Sequence, residues 1–282
     1  MRADTQPLNA RAVAAWSAAC LVIVLATTNP AYKLVVLAAT LSALVAGAGP
    51  RRAGRLLIAT SSIAAFAILL NFVSAHVGET VLFSVPSSLP AIGGPYTLEA
   101  LTYGAVGGVT IAAAILAGAP FSMLLASHEV IDALPAALAR TGAVVAAALN
   151  LVPAVGTTFF QVSEAQRMRG WRPRGPRSWA EVTVPVVLTS VESSIQLAES
   201  MEARGFGSGD RTHLTPVRMH RSDWVLVATA AAALALFAPS IAAGWAAPWS
   251  AYPALVAPRV DPVPLLACLL LFVPVLQWRS RG

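Results

Sequence analysis

Residues 224–243 read Trp-Val-Leu-Val-Ala-Thr-Ala-Ala-Ala-Ala-Leu-Ala-Leu-Phe-Ala-Pro-Ser-Ile-Ala-Ala, without one charged side chain. A run of this length and apolarity spans the hydrocarbon core of a bilayer as a helix, about 30 Å at 1.5 Å per residue. In lipid the backbone must satisfy its own hydrogen bonds, so a single apolar segment can only be helical. Five more such runs lie at 12–28, 31–48, 56–76, about 101–127 and 262–278. The expected fold is therefore an all-α, polytopic membrane protein with about six transmembrane helices. The chain is 57% hydrophobic and 11% charged over 282 residues, where a soluble domain carries about 25% charge.

The basic residues orient these spans. Arg51, Arg52 and Arg55 fall between spans two and three, ten arginines fall within 128–222, and Arg279 and Arg281 end the chain. The 77–100 loop has no Lys or Arg, and the 244–261 loop has only Arg259. The positive-inside rule then places both termini and the 128–222 interval in the cytoplasm. It also accounts for the net charge of +6 without nucleic acid. The resulting division is 1–127 with spans one to four, 128–222 with cytoplasmic helices, and 223–282 with spans five and six. Arg2 and Arg11 precede an apolar run as in a secretion signal, but no Ala-x-Ala-like site follows, so the first span is read as retained. Asn29-Pro30 makes spans one and two a tight hairpin. Residues 79–98 carry β-branched residues punctuated by Pro and Gly, which fits an extended extracytoplasmic loop with a short hairpin. Cys20 and Cys268 both lie in apolar segments and predict inert buried thiols.

The 128–222 interval reads as helices of an amphipathic kind. A short one fits 128–140. A longer one over 142–169 carries Val144, Leu151, Val155, Phe159 and Val162 at helical spacing. Another over 180–204 carries Val184, Val187, Val191, Ile195, Ala198 and Met201, with Glu192, Gln196, Glu199 and Glu202 opposite. Pro153 and Pro185 are expected to kink or reset them. The stretch from Trp171 to Arg177 reads as a rigid basic bend.

Both long helical patterns end in Arg-Gly: Gln166-Arg167-Met168-Arg169-Gly170 and Met201-Glu202-Ala203-Arg204-Gly205. A cation in the last turn followed by glycine is also an ordinary helix end. Two copies in one basic interval, each at the tip of an unusually long helix, instead read as paired cationic prongs. A guanidinium suits charge-assisted, bidentate docking onto acidic protein surfaces.

These signatures resemble the double Ala-Arg-Gly motif of the T components of energy-coupling-factor transporters, with Met168 where the first copy usually has Ala. The likeness extends to Asn29-Pro30, Thr97-Leu98-Glu99-Ala100-Leu101, Asp132-Ala133-Leu134-Pro135, Val152-Pro153, and the run from Ala198 to Gly207. The resemblance implies a non-catalytic coupling subunit of an importer of a vitamin or a transition-metal ion. It implies two ABC-type ATPase subunits on the cytoplasmic side and a small membrane-embedded S component that reads the substrate. Carried over, Arg169 and Gly170, and Arg204 and Gly205, would dock the ATPases, supported by Gln166, Met168, Glu202 and Ala203. Val155, Phe159, Val184, Val191 and Ile195 would grip the S component. ATP would be used by the partners, with no cofactor or metal held by this chain.

Weaker signals stand beside these. His76 and Glu79 could form a metal or proton site, but read as interface anchors. Gly104 and Gly108 predict a close helix contact, with this chain or with the S component. Asn71 is expected to hydrogen-bond across helices. No Walker A sequence is present, so the chain itself is not expected to hydrolyse ATP. The alternatives are a conventional ABC permease, and an integral membrane enzyme, which would need ionisable groups clustered at one membrane depth.

Overall fold

A computed structural model describes residues 9–86, 93–125, 129–130, 139–173, 175–205, 219–246 and 248–279. The expected helix at 128–140 and the exit segment after Gly205 lie mostly outside them. The chain divides into two units, one of Met1–Glu129 with Arg218–Gly282 and one of Val130–Val217.

In the first unit, α1 spans Ala10–Ala26, α2 Pro30–Ala48 and α3 Pro50–Ser74. Asn29 closes the α1–α2 hairpin: its side chain accepts from the N–H of Ala31, and Pro30 takes the first helical position, where no N–H is needed. Gly49 alone makes the α2–α3 corner, at φ +85°, a conformation that favours glycine. After α3, β1 (Val81–Val85) pairs antiparallel with β2 (Gly94–Thr97), with a bulge between Val81 and Phe83. The 79–98 segment thus forms the short hairpin expected. Thr97 then caps α4 (Leu98–Leu124) by accepting from the N–H of Ala100.

Helix α4 packs along α1, α2 and α3. The α3–α4 contact is built on Gly104 and Gly108. A Cβ at Gly108 would lie 3.0 Å from the carbonyl oxygen of Ala64, and one at Gly104 would lie 3.2 Å from that of Ile68. The glycine pair therefore serves this chain's own packing. Asn71 lies on the same seam, but its Oδ1 is buried with no partner among the described residues, contrary to expectation.

The last apolar run is interrupted. Between α7 (Arg221–Ala242) and the chain end, α8 covers Pro262–Leu270 and α9 covers Val273–Arg279, with a turn at Leu271 and Phe272. Pro274 lacks the N–H that would bond the carbonyl of Leu270 and clashes with that carbonyl in a regular helix. The turn uses tighter bonds, Leu271 N to Cys268 O and Val275 N to Phe272 O. The carbonyl of Leu271 accepts instead from Nε1 of Trp16, at 3.2 Å. The sixth apolar run is thus carried by two short helices joined by a turn. Among the described residues four helices, α2, α3, α4 and α7, are long and apolar enough to cross a membrane, and α1 and the α8–α9 run are shorter apolar helices. The architecture is all-α and polytopic, a membrane protein. Both cysteines are free and buried.

The second unit holds α5 (Ala139–Met168) and α6 (Pro176–Ala203). Both helices run continuously through Pro153 and Pro185, so neither proline resets its helix. In α6 the carbonyl that Pro185 leaves free, that of Glu181, takes a long 3.5 Å contact from Nε2 of Gln166.

Candidate functional site

Each arginine tip is built by a helix stop. At the end of α5, the N–H of Gly170 bonds the carbonyl of Arg167 at 3.0 Å, and the N–H of Trp171 bonds that of Gln166 at 2.9 Å. This pair of bonds is the Schellman stop, with Gly170 at φ +87° supplying the left-handed residue. Arg169 is left at the cap, exposed. At the end of α6 the same chemistry recurs. Arg204 is the C-cap, Gly205 has φ +69°, and its N–H bonds the carbonyl of Glu202 at 2.9 Å. Arg204 is also exposed. Among the described residues neither guanidinium has an ion pair; the pair that is present joins His220 and Asp223. Met168, Glu202 and Ala203 are helical residues leading into these stops, and Met168 is 80% exposed. Arg169 precedes α6 by a short bend, whereas Arg204 follows its last residue. The 28 residues of α6 set the two tips apart by roughly 40 Å at the α-helical rise.

An aromatic clamp fixes the end of the hairpin that carries Arg169. Trp171 and Val182 and Val186 of α6 form a buried cluster, with Phe159 and Val162 of α5 packed against it. Trp179 stacks on Phe159 with centroids 6.0 Å apart and meets Trp171 edge-on at 5.5 Å. Nε1 of Trp171 donates to the carbonyl of Ser178. The bend between the helices is thus held by indole packing, and Arg172 of that bend is exposed.

Beyond the clamp lies an open groove of about 430 Å³, lined by Val155 of α5 and by Val186, Ser190, Val191, Ser194 and Ile195 of α6, among others. Val155, Val191 and Ile195 come together there. Val184 is exposed on α6 outside that lining, and Phe159 is spent inside the hairpin against Trp179. The sequence reading, which follows the stripe through Val184, Val187, Val191 and Ile195, does not single out Val182 and Val186, which make the α5 contact. Val182, Val186, Ser190 and Ser194 form a second stripe at the same helical spacing. Its first half packs on α5, while Ser190 and Ser194 line the open groove.

The bundle has one polar site that sequence reading did not single out. Lys33, the sole lysine, is 7% exposed in α2 and donates from Nζ to Oγ1 of Thr110 in α4 at 2.6 Å. The Thr110 hydroxyl in turn donates to the carbonyl of Val106. At the other end of α3, Nδ1 of His76 lies 3.3 Å from the carbonyl of Pro95, and its ring meets Tyr96 edge-on. Glu79 and His76 form no metal site with a third ligand among the described residues. The acid engaged beside them is Glu99, buried at the start of α4, which accepts from the N–H of Thr80 through both oxygens.

A family model described as cobalt transport protein, CbiQ, matches residues 6–214. The match covers α1 to α6 and both Arg-Gly tips, and ends before α7. No curated protein matches the chain.

Proposed function

Since this chain belongs to the CbiQ family of cobalt transport proteins, we propose that it is the transmembrane coupling subunit of an ATP-driven importer, with two ABC-type ATPases docked on its arginine tips. The family makes it a transport component of the membrane. The finer reading is carried by one observation: Arg169 and Arg204 stand exposed on two glycine-stopped helix ends, about one long helix apart. Each tip serves one ATPase subunit and enters an acidic recess there. ATP is bound and hydrolysed by those partners, and this chain holds no cofactor of its own. The arginine distribution puts both termini and the α5–α6 hairpin on the cytoplasmic side, where the ATPases are.

The exposed apolar face of α6 and the adjoining groove take the second partner, a small membrane-embedded S component. Large apolar side chains left in contact with water are unfavourable, and Val184, Val187, Val191 and Ile195 are each more than half exposed. A tilt of the hairpin driven by ATPase closure then passes directly to whatever lies on that face. The transported substrate is a transition-metal ion, with cobalt named by the family's description, or a vitamin, and the S component selects it.

The test is co-purification of the ATPase pair with the wild type, Arg169→Ala, Arg204→Ala and the double variant. Truncating one partner of a buried charge-assisted pair costs about 2–5 kcal/mol, so each single change should weaken assembly and the double should abolish it. Arg→Lys at either tip should also fail to restore normal assembly, because an ammonium cannot reproduce the guanidinium fork. Assembly of the double variant at wild-type level would remove the basis of this reading. A pair assembled without a third, small hydrophobic subunit would favour a conventional permease.

A further inference from the structure

The most exposed membrane helix of the bundle begins in a basic groove that the coupling function leaves unused. Helix α3 buries only 6% of its apolar window, and Ile58, Phe66, Leu69 and Leu70 are 56–71% exposed along it. At its start a groove of about 510 Å³ is lined by Arg52, Arg55, Leu56, Ala59 and, from α4, Met123. Arg51, Arg52 and Arg55 are all exposed, and among the described residues no carboxylate pairs with any of them. No acidic residue stands in the first turn of α3, so the helix end adds to this positive charge instead of offsetting it. The floor is fixed: Leu56 packs against the buried cluster of Leu44, Ala53, Leu116 and Ala119.

The groove is therefore amphipathic in one direction. Guanidinium groups stand at the helix end, on the side the charge pattern assigns to the cytoplasm. Apolar side chains follow toward the membrane centre, and an uncovered apolar helix face continues from them. We infer that this groove holds an anionic phospholipid of the inner leaflet, its phosphate on Arg52 and Arg55 and an acyl chain along Leu56, Ala59 and the outer face of α3. A free phosphate would use the arginines alone and leave the apolar floor uncovered. A zwitterionic lipid would carry its own cation against the guanidinium groups.

The full chain in detergent, stripped of lipid and then offered phosphatidylglycerol or phosphatidylcholine, tests this by native mass spectrometry. Phosphatidylglycerol should be retained in preference to phosphatidylcholine, and millimolar inorganic phosphate should not displace it. Each arginine near an anionic lipid surface contributes about fivefold in binding, so Arg52→Gln with Arg55→Gln should lower retention about thirtyfold. Ala59→Trp keeps every charge and fills the groove, so it should lower retention as well, and it decides the matter if the double variant does not fold. Equal retention of the two lipids, displacement by phosphate, or unchanged retention in these variants would overturn the assignment. The assay involves no partner subunit, so its outcome is independent of the ATPase-docking reading.

Discussion

Trp16 and Trp171 perform the same local chemistry in two parts of the molecule. Each indole N–H donates to a backbone carbonyl at a helix terminus, at 3.2 Å and 2.9 Å, Leu271 following the end of α8 and Ser178 lying in the first turn of α6. Trp16 reaches Leu271, 255 positions away, and is fully buried. Trp171 reaches Ser178, seven positions away. The bundle is closed by such distant links. Asn29 donates to the carbonyl of Arg259, Tyr32 accepts from the N–H of Asp261, and Lys33 donates to Thr110. The hairpin is closed only around its bend, and most of α6 beyond Val186 stays exposed although it is rich in Val, Leu and Ile. The bundle thus completes its own interior, while the hairpin has a fixed bend and, beyond it, an apolar side of α6 that stays uncovered.

The sharpest way to break that contrast is to spoil a seam in the bundle. Gly108→Leu pushes a side chain into the backbone of α3 and should destabilise the bundle by more than about 3 kcal/mol, at the upper end of overpacking costs. Gly107→Ala, with nothing within 4 Å of its added Cβ, should not lower the unfolding midpoint in detergent and should raise it slightly, since alanine is the better helix former. In the hairpin, Trp171→Ala should cost about 3 kcal/mol, the low end for Trp truncation. This loss should be confined to the hairpin, so amide exchange would rise around residues 159–186 and stay constant in α1 to α4. A loss spread evenly over both units would refute the division.

A smaller effect separates buried polar pairing from simple burial. Thr110→Val leaves Nζ of Lys33 without its acceptor and should cost about 2 kcal/mol. Adding Lys33→Met should recover most of it, since removing both partners is far less costly than removing one. The smallest effect belongs to the exposed face of α6. Val191→Ser with Ile195→Ser should change the stability of the isolated chain by less than about 0.5 kcal/mol, yet reduce co-purification of the small membrane partner. An equal effect on stability and assembly would mean that this face is ordinary packing.

The bundle was legible where single residues dictate local structure. Apolar runs gave the spans, Asn29-Pro30 the hairpin, and Gly104 with Gly108 the close seam. The broken last span was missed because Pro274 lies near the end of an unbroken apolar run, and the run hides the lost hydrogen bond. The arginine tips were legible as Arg-Gly after a long helical pattern, since glycine there marks a stop. The packing face of α6 was not legible. Valines occur on two sides of it, and the choice of buried side depends on where Trp171 and Trp179 fold back, which no periodicity reports. The Lys33–Thr110 contact joins residues 77 positions apart, and only the packing of α2 on α4 reveals it.

The claim that the bundle is complete and the hairpin is not can be measured directly by amide hydrogen exchange on the isolated chain and on its assembly with the two ATPases and the small membrane subunit. The account predicts unchanged protection across α1 to α4, with new protection at Arg169 and Gly170, at Arg204 and Gly205, and along α6 beyond Val186. Equal exchange of the hairpin in the two states, or new protection confined to the bundle, would contradict it.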